Sequence, residues 1–172
     1  MKQTNARRTA LIGMLFALAM VLSFFEGSFV PLLGLPPGVK LGLANVVVMY
    51  ALFFLGKRDA AVLVVLKSVF SFFTRGVSAG ALSFAGGILS LLVMLLLQWM
   101  KPKPSLFILS VCGAIAHNFG QLLMLQLLFT QSIYTLYYAP VLLVSGLIMG
   151  SITAVSLKAL LPALEKLQLK HY

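Results

Sequence analysis

Hydrophobic residues lie along the chain in long runs, which are broken by short stretches rich in charge, proline or glycine. A helix needs roughly 20 apolar residues to cross the hydrocarbon core of a bilayer, and charges, prolines and glycine clusters mark where such runs end. On this basis six transmembrane helices are predicted, over about residues 9–25, 39–55, 60–74, 81–100, 105–129 and 139–161. The third is short, because about 15 residues at about 1.5 Å each reach only about 23 Å.

The first apolar run has a basic start, as a signal peptide would, but it ends in Ser23-Phe-Phe-Glu-Gly27 and lacks a small-residue cleavage site. A retained helix is therefore predicted. The loop that follows, about residues 26–38, is rich in glycine and proline and cannot be regular helix. No internal repeat, interdomain linker or low-complexity segment interrupts the chain, so residues 1–172 are predicted to form one transmembrane domain.

Composition supports a lipid environment. Of the 172 residues, 61% are hydrophobic and 9% are charged, and the mean hydropathy is +1.07. Soluble domains have about half apolar and about a quarter charged residues, so most classes of soluble enzyme are excluded. The formal net charge of +10 would suggest nucleic acid in a soluble protein. In a membrane protein, the first question is which side of the bilayer holds that charge.

An even number of crossings puts both termini on one side. That side holds ten of the 13 cations: Lys2, Arg7, Arg8, Lys57, Arg58, Lys101, Lys103, Lys158, Lys166 and Lys170. The positive-inside rule then predicts that both termini are cytoplasmic. Topology explains most of the positive charge, so no nucleic-acid partner is expected. Three cations are left for function, namely Lys40, Lys67 and Arg75.

Polar residues at membrane depth are the candidate functional groups, because an ionisable side chain inside a span is costly unless it is paired or hydrated. Lys67 lies near the middle of the third predicted span, and a cluster of imidazole and amide groups lies near the middle of the fifth. The candidate substrate-binding residues are Glu26, Lys40, Asn45, Lys67, Arg75, His117, Asn118 and Gln121.

All of these residues map to the middle or outer half of the bilayer under the predicted topology. They suggest a polar pocket that opens to the outside and is covered by the loop of residues 26–38. Since three cations face only Glu26, an anionic or electron-rich ligand is predicted, such as a phosphate, diphosphate or carboxylate. The alternative is structural: Glu26 pairs with Lys40, and the polar residues of the fifth span bond helices together.

Small residues recur at four-residue spacing in three of the predicted helices. In the first helix the stripe comprises Thr9, Gly13 and Ala17. Such stripes let membrane helices approach closely, either within one chain or against another subunit. A six-helix chain has few interior faces to fill, so the stripe on the first helix is a candidate docking face, with Gly13 and Ala17 as its docking residues.

The sequence lacks the residues that several kinds of catalytic and metal-binding chemistry require. There is no GxxxxGK phosphate loop, and cysteine and histidine are too few for a zinc site. The three acids, Glu26, Asp59 and Glu165, lie on different segments and cannot supply the carboxylate cluster that magnesium-dependent diphosphate chemistry needs. The chain is therefore expected not to be an enzyme, and no metal or cofactor is expected.

Four segments carry a family resemblance: Ala10-Leu-Ile-Gly-Met-Leu15, Pro37-Gly-Val-Lys-Leu-Gly-Leu-Ala-Asn45, Ser83-Phe-Ala-Gly-Gly87 and His117-Asn-Phe-Gly-Gln121. They resemble the Gx transporter family, often labelled heptaprenyl diphosphate synthase component I, which is related to the S components of energy-coupling factor transporters. The resemblance implies an all-α, S-component-like bundle of six helices in the bacterial plasma membrane. It also implies that the chain captures a vitamin or similar small molecule from outside.

The same resemblance implies partners. The small-residue face of the first helix, with Gly13 and Ala17, would dock on a transmembrane coupling subunit driven by two cytoplasmic ATPase subunits. The loop of residues 26–38 would be the substrate lid. A prenyl diphosphate synthase would be expected to have aspartate-rich magnesium motifs, whereas this chain has one aspartate. The alternatives are therefore a non-catalytic membrane subunit associated with prenyl diphosphate or quinone metabolism and, least favoured, a membrane enzyme.

Overall fold

The computed structural model describes residues 5–29, 32, 43–102, 104–130, 137 and 139–166. Within these ranges the chain forms six α-helices and no strand. The helices are α1 (Asn5–Phe29), α2 (Asn45–Phe54), α3 (Lys57–Arg75), α4 (Val77–Trp99), α5 (Leu106–Leu125) and α6 (Ala139–Lys166). One π-helical turn, Gln126–Thr130, continues α5. The prediction of an all-helical fold with six helices is confirmed.

Four of the helices are long and apolar enough to cross a bilayer, over Arg8–Ser28, Val77–Trp99, Leu106–Leu128 and Ala139–Ala159. The chain is thus a multi-pass membrane protein. α3 is long but carries Lys57, Arg58, Asp59, Lys67 and Arg75, which lower its hydropathy.

The second and third helices differ from their predicted bounds. α2 begins at Asn45, so its 10 residues span about 15 Å, or half of the hydrocarbon core. Positions 39–42 of the predicted span lie outside the described residues. α3 begins at Lys57 and has 19 residues, or about 28 Å, which removes the predicted shortfall in its length. Residues 57–59, which lie between the second and third predicted spans, are instead the first turn of α3, where Asp59 accepts hydrogen bonds from Arg8.

Two glycines allow the sharp connections on either side of α3. Gly56 has φ 113° and Gly76 has φ 91°, which L-residues with a side chain rarely adopt. Gly76 alone separates α3 from α4. The helices α2, α3 and α4 are therefore forced into consecutive antiparallel hairpins.

Helices α3, α4, α5 and α6 pack side by side in chain order, while α2 packs against α1, α3 and α6. Glycines permit the closest approaches. A Cβ atom added at Gly120 of α5 would lie 2.8 Å from the Ala85 carbonyl oxygen of α4, and one at Gly150 of α6 would lie 2.6 Å from Val111 Cα of α5. These are backbone contacts, so side chains at the two positions would separate the helices.

Helices α1 and α3 run in the same direction. Near their starts, Arg8 forms a 2.7 Å ion pair with Asp59. Near their ends, Arg75 donates a hydrogen bond to the carbonyl oxygen of Ser23. We call the end of the bundle that holds the α2–α3 turn the basic end, because exposed cations gather there: Lys57, Arg58, Lys101 and Lys158. The other end is the distal end.

The apolar interior forms two clusters. The larger one joins α2, α3, α4 and α5 with Ala19 of α1 and Leu157 of α6, and it extends to the basic end. The smaller one, Leu82, Leu122, Leu125 and Leu142, lies at the distal end between α4, α5 and α6. Buried polar side chains are found on the same helices, and several of them are the residues singled out in the sequence.

Candidate functional site

The α2–α3 hairpin brings Lys67 and Asn45 together. Gly56 lies 11 residues after Asn45 and 11 residues before Lys67, so the turn at Gly56 places the two residues at the same level in the bundle. Lys67 Nζ donates a 2.7 Å buried hydrogen bond to Asn45 Oδ1. Lys67 is 2% exposed and lies near the middle of α3. This side chain is therefore a cation held well inside the bundle.

Glu26 contributes the nearby negative charge. It is buried in the last turns of α1, and its carboxylate attracts the Lys67 ammonium electrostatically. Ser71, one turn after Lys67 on α3, is also buried. Sequence reasoning expected a cluster with excess positive charge, whereas here one acid offsets the one fully buried cation. The remaining described cation of the predicted set, Arg75, lies farther along α3.

Arg75 is engaged with the end of α1. Its guanidinium donates to the Ser23 carbonyl oxygen and packs against Gly27, where an added Cβ would lie 2.6 Å from Arg75 Cζ. The guanidinium thereby compensates a carbonyl near the C-terminal end of α1, where cations are favoured. Arg75 is half-buried at the distal rim of the bundle, above the level of Lys67.

His117 and Gln121 lie on the face of α5 that meets α4. Both are buried, with exposures of 1% and 0%. A Cβ atom at Gly86 of α4 would lie 2.8 Å from His117 Nδ1, so the absence of a side chain at Gly86 makes room for the imidazole. The neighbouring Gly87 faces Val64 of α3 in the same way. Since Val64 is one turn from Lys67, the imidazole and the ammonium lie at similar depth on opposite sides of α4.

Asn118 faces α6 instead. Its Nδ2 donates to the Leu142 carbonyl oxygen at 2.8 Å and to Ser145 Oγ at 3.0 Å. Ser145 Oγ in turn donates to the same carbonyl at 2.9 Å. The amide therefore joins α5 to α6, which agrees with the structural alternative for this residue.

Several polar side chains have buried hydrogen-bonding capacity left over. Among the residues that the structure describes, Asn45 Nδ2, Ser83 Oγ, Asn118 Oδ1 and Gln126 Oε1 have no hydrogen-bond partner. Because Asn45 Oδ1 accepts from Lys67, its Nδ2 is a donor. A buried polar atom without a partner costs about 1–3 kcal/mol, which a bound polar molecule would recover. The ammonium of Lys67 and the amide of Asn45 together suit an oxygen-rich anionic group.

The structure thus joins Glu26, Asn45 and Lys67 on three helices, and sets His117 and Gln121 across α4 from them. Lys40 and most of the loop of residues 26–38 lie outside the described residues. Sequence reasoning did not single out Ser83 of α4, which is also buried, because it lies in a stripe of small residues, Ala79, Ser83 and Gly87, that is typical of helix packing. Its buried, unpartnered hydroxyl is a signal that exists only in three dimensions.

The small-residue stripe of α1 is exposed. Gly13 and Ala17 face outward, and a Cβ atom at Gly13 would meet nothing within 4 Å. Their neighbours Met14 and Leu18 are 70% and 49% exposed. The stripe therefore does not pack within the described part of the chain, and it forms an open apolar face.

Comparison with known proteins identifies one family. The sequence model described as heptaprenyl diphosphate synthase component I matches residues 15–160. No curated protein and no solved structure matches significantly. The match covers α2 to α5 completely and most of α1 and α6, so it includes every described residue of the candidate site.

Proposed function

Because the chain belongs to the heptaprenyl diphosphate synthase component I family, we propose that it is a substrate-binding membrane subunit of an uptake transporter, similar to the S component of an energy-coupling factor transporter. It would capture a small anionic, vitamin-like or prenyl-like molecule from outside a bacterial plasma membrane. The observation that carries the proposal is the buried hydrogen bond between Lys67 and Asn45 at mid-depth in the bundle.

The cost of burying Lys67 supports a binding role. A charged side chain at the bilayer centre is expensive, and such residues commonly mark substrate pathways. Here the lysine is buried to 2% exposure, with a neutral hydrogen-bond partner in Asn45 and the carboxylate of Glu26 nearby. A simple packing role would be met more cheaply by an apolar side chain of similar size.

The half-length of α2 supports the same conclusion. Helices that begin within the membrane direct the positive end of their dipole toward bound anions in many transporters. α2 begins at Asn45, and its Ala44 N-cap supplies no side-chain hydrogen bond. Lys67, the amide of Asn45 and the start of α2 would then form one electropositive surface, and Glu26 would hold Lys67 in position.

The open face of α1 supports docking on a partner. Gly13 and Ala17 would contact a transmembrane coupling subunit, and two cytoplasmic ATPase subunits would supply the energy. This chain would itself perform no catalysis and would need no cofactor, since its chemistry consists of binding and release.

A second candidate follows from the family description, which names a prenyl diphosphate synthase component. In that case the chain would be a non-catalytic membrane subunit that holds a prenyl diphosphate or quinone precursor for a separate enzyme. The candidate site would be the same, because a diphosphate also suits Lys67 and Asn45.

One purification distinguishes the two proposals. The tagged chain is extracted from its native membrane in mild detergent, and both its protein partners and its small molecules are identified by mass spectrometry. Co-purification of a coupling subunit with ATPases supports transport, and co-purification of a soluble prenyltransferase supports the second proposal. A chain that is recovered without a small molecule, and that binds none of a panel of vitamins and prenyl diphosphates, would contradict both.

A further inference from the structure

A cavity lies at the basic end of the bundle, remote from Lys67. It is an open cleft of about 510 Å³ between the α2–α3 turn, the end of α4 and the start of α5. Leu52, Phe53 and Leu109 form its apolar lining, and Lys57 and Gln98 its polar lining. We propose that this cleft binds an anionic amphiphile, with the charged head at Lys57 and the hydrocarbon chain against the apolar lining.

The positive charge at the cleft belongs to Lys57, whose contact with an aromatic ring leaves room for a further partner. Lys57 is exposed, and its Nζ lies 5.6 Å from the centroid of the Trp99 ring. A cation over an aromatic face keeps N–H donors for a further partner. Asp59, the acid of the same helical turn, accepts both of its described hydrogen bonds from Arg8, at 2.9 and 2.7 Å. The acid nearest to Lys57 along the helix is therefore engaged with Arg8, and the Lys57 ammonium can bind an anion.

The apolar lining of the cleft suits a hydrocarbon chain. Leu52 and Leu109 are 5% and 4% exposed, so they form part of the packed interior, and Phe53 is half-buried beside them. The volume is within the usual range for small-molecule pockets, about 300–1,000 Å³. The margins are Gly56 and Pro104, two compact residues at turns. A charged rim over an apolar floor is the arrangement that an amphiphile requires.

Two sources could supply this chemistry: an acidic phospholipid of the surrounding membrane, or a prenyl diphosphate. Both present a phosphate group on an apolar chain, and anionic lipid surfaces attract basic membrane-proximal residues. The cleft lies about 15 Å along α3 from Lys67, so the two sites can be altered separately.

Trp99 provides a direct readout, because it is the single tryptophan of the chain and touches Lys57. The full chain in a neutral detergent is titrated with farnesyl diphosphate and with short-chain phosphatidylglycerol, while Trp99 fluorescence is recorded. Farnesol, short-chain phosphatidylcholine and inorganic diphosphate serve as matched probes that lack the charge or the chain. We expect saturable binding of at least one anionic amphiphile, at least tenfold tighter than its matched probes.

Variants locate the binding. Lys57→Gln is expected to weaken the affinity for the anionic probe about tenfold, measured with radiolabelled probe because the variant also alters Trp99 emission. Lys57→Arg should restore most of it. Lys158→Gln removes another exposed cation of the basic end that does not line the cleft, and should leave the affinity unchanged.

Three results would overturn the proposal. One is equal affinity for the anionic probes and their neutral or chainless counterparts. Another is unchanged affinity in Lys57→Gln. The third is loss of binding in Lys67→Met with no effect of Lys57→Gln, which would assign the probe to the Lys67 site and leave the proposed transport function intact.

Discussion

Two polar contacts between helices are compared best through Lys67 and Asn118. Both residues stand out in the same way in the sequence, but the structure gives them different partners. Between α2 and α3, the Lys67 ammonium donates to the Asn45 side chain. Between α5 and α6, the Asn118 amide donates to the backbone carbonyl of Leu142 and to Ser145. Each residue is a buried polar group in an apolar helix, so the pattern of residues alone predicts the same role for both.

The difference lies in the group that each contact buries. The amide of Asn118 is neutral, and its Nδ2 joins neighbouring helices through both of its described hydrogen bonds, which is a common device in membrane bundles. Lys67 brings a basic group to the start of a half-length helix. Each contact leaves one amide atom without a partner in the described structure, Asn118 Oδ1 and Asn45 Nδ2. Because burying a basic group costs far more than burying a neutral amide, the first contact is best explained by stability and the second by a ligand.

The largest expected effect is on binding, at Lys67. Replacing it in Lys67→Met removes the cation while keeping an unbranched side chain. We expect the affinity for the molecule that co-purifies with the wild-type chain to fall about ten- to 150-fold, since a charge-assisted hydrogen bond contributes about 1.5–3 kcal/mol. Isothermal titration calorimetry on the purified variant measures this.

A matched double variant separates binding from folding. Removing Lys67 alone leaves the buried Glu26 carboxylate uncompensated, which destabilises the fold. The pair Glu26→Gln and Lys67→Met should regain wild-type thermal stability and still bind at least about tenfold more weakly. Recovery of affinity in the double variant would show that Lys67 serves only to balance Glu26.

Asn45→Ala is expected to have the next largest effect. It removes the acceptor that orients Lys67 and the free amide donor, so ligand affinity should fall about tenfold, equivalent to about 1.4 kcal/mol. The conservative variant Asn45→Gln keeps both groups at a shifted position and should lose less. A thermal melt in detergent checks that both variants fold, and an unchanged affinity in Asn45→Ala would remove this residue from the site.

Asn118→Ala should have the opposite profile. Loss of its hydrogen bonds to α6 is expected to lower stability by about 1 kcal/mol, as for other interhelical hydrogen bonds in membranes. Ligand affinity should stay within about threefold. Unfolding by a denaturing detergent, monitored by circular dichroism, measures the stability, and a large loss of affinity with normal stability would place Asn118 in the binding site as well.

The smallest effect is expected at the ion pair between Arg8 and Asp59, outside both contacts. Arg8 is 45% exposed, and partly exposed pairs contribute about 0–1 kcal/mol. Asp59→Asn should therefore lower stability by less than about 1 kcal/mol and leave binding at the Lys67 site unchanged. The same detergent unfolding assay detects it, and a loss above about 2 kcal/mol would mean that the pair is far better shielded than an ordinary exposed pair.

Much of the fold was predictable from the hydrophobic pattern. Spans four, five and six agree with α4, α5 and α6 because long apolar runs bounded by charge or proline leave few other arrangements in lipid. The pattern failed at α2 and α3, where it could not tell that Lys57, Arg58 and Asp59 form a helical turn. The same turn places Asp59 against Arg8, which lies 51 residues away along the chain.

The sequence predicted which residues belong to the candidate site better than it predicted which of them contact one another. Unusual polar residues such as Lys67 and His117 are visible in an apolar sequence. Their partners are not, because Gly86 beside His117 and Asn45 beside Lys67 belong to other helices. The assignment of Arg75 to the end of α1 was equally hidden from sequence reasoning.

The sequence by itself determined that this protein lies in a lipid bilayer and which family it belongs to. Composition and long apolar runs require a membrane, and the family match depends on sequence alone. Tertiary structure decided which polar residues act together, because the Gly56 turn sets the level of Asn45 against Lys67, and α4 separates both from His117. A hydrogen bond between helices requires that the two residues lie at the same depth in the bundle and on faces that meet. The spacing of residues within one helix determines neither condition.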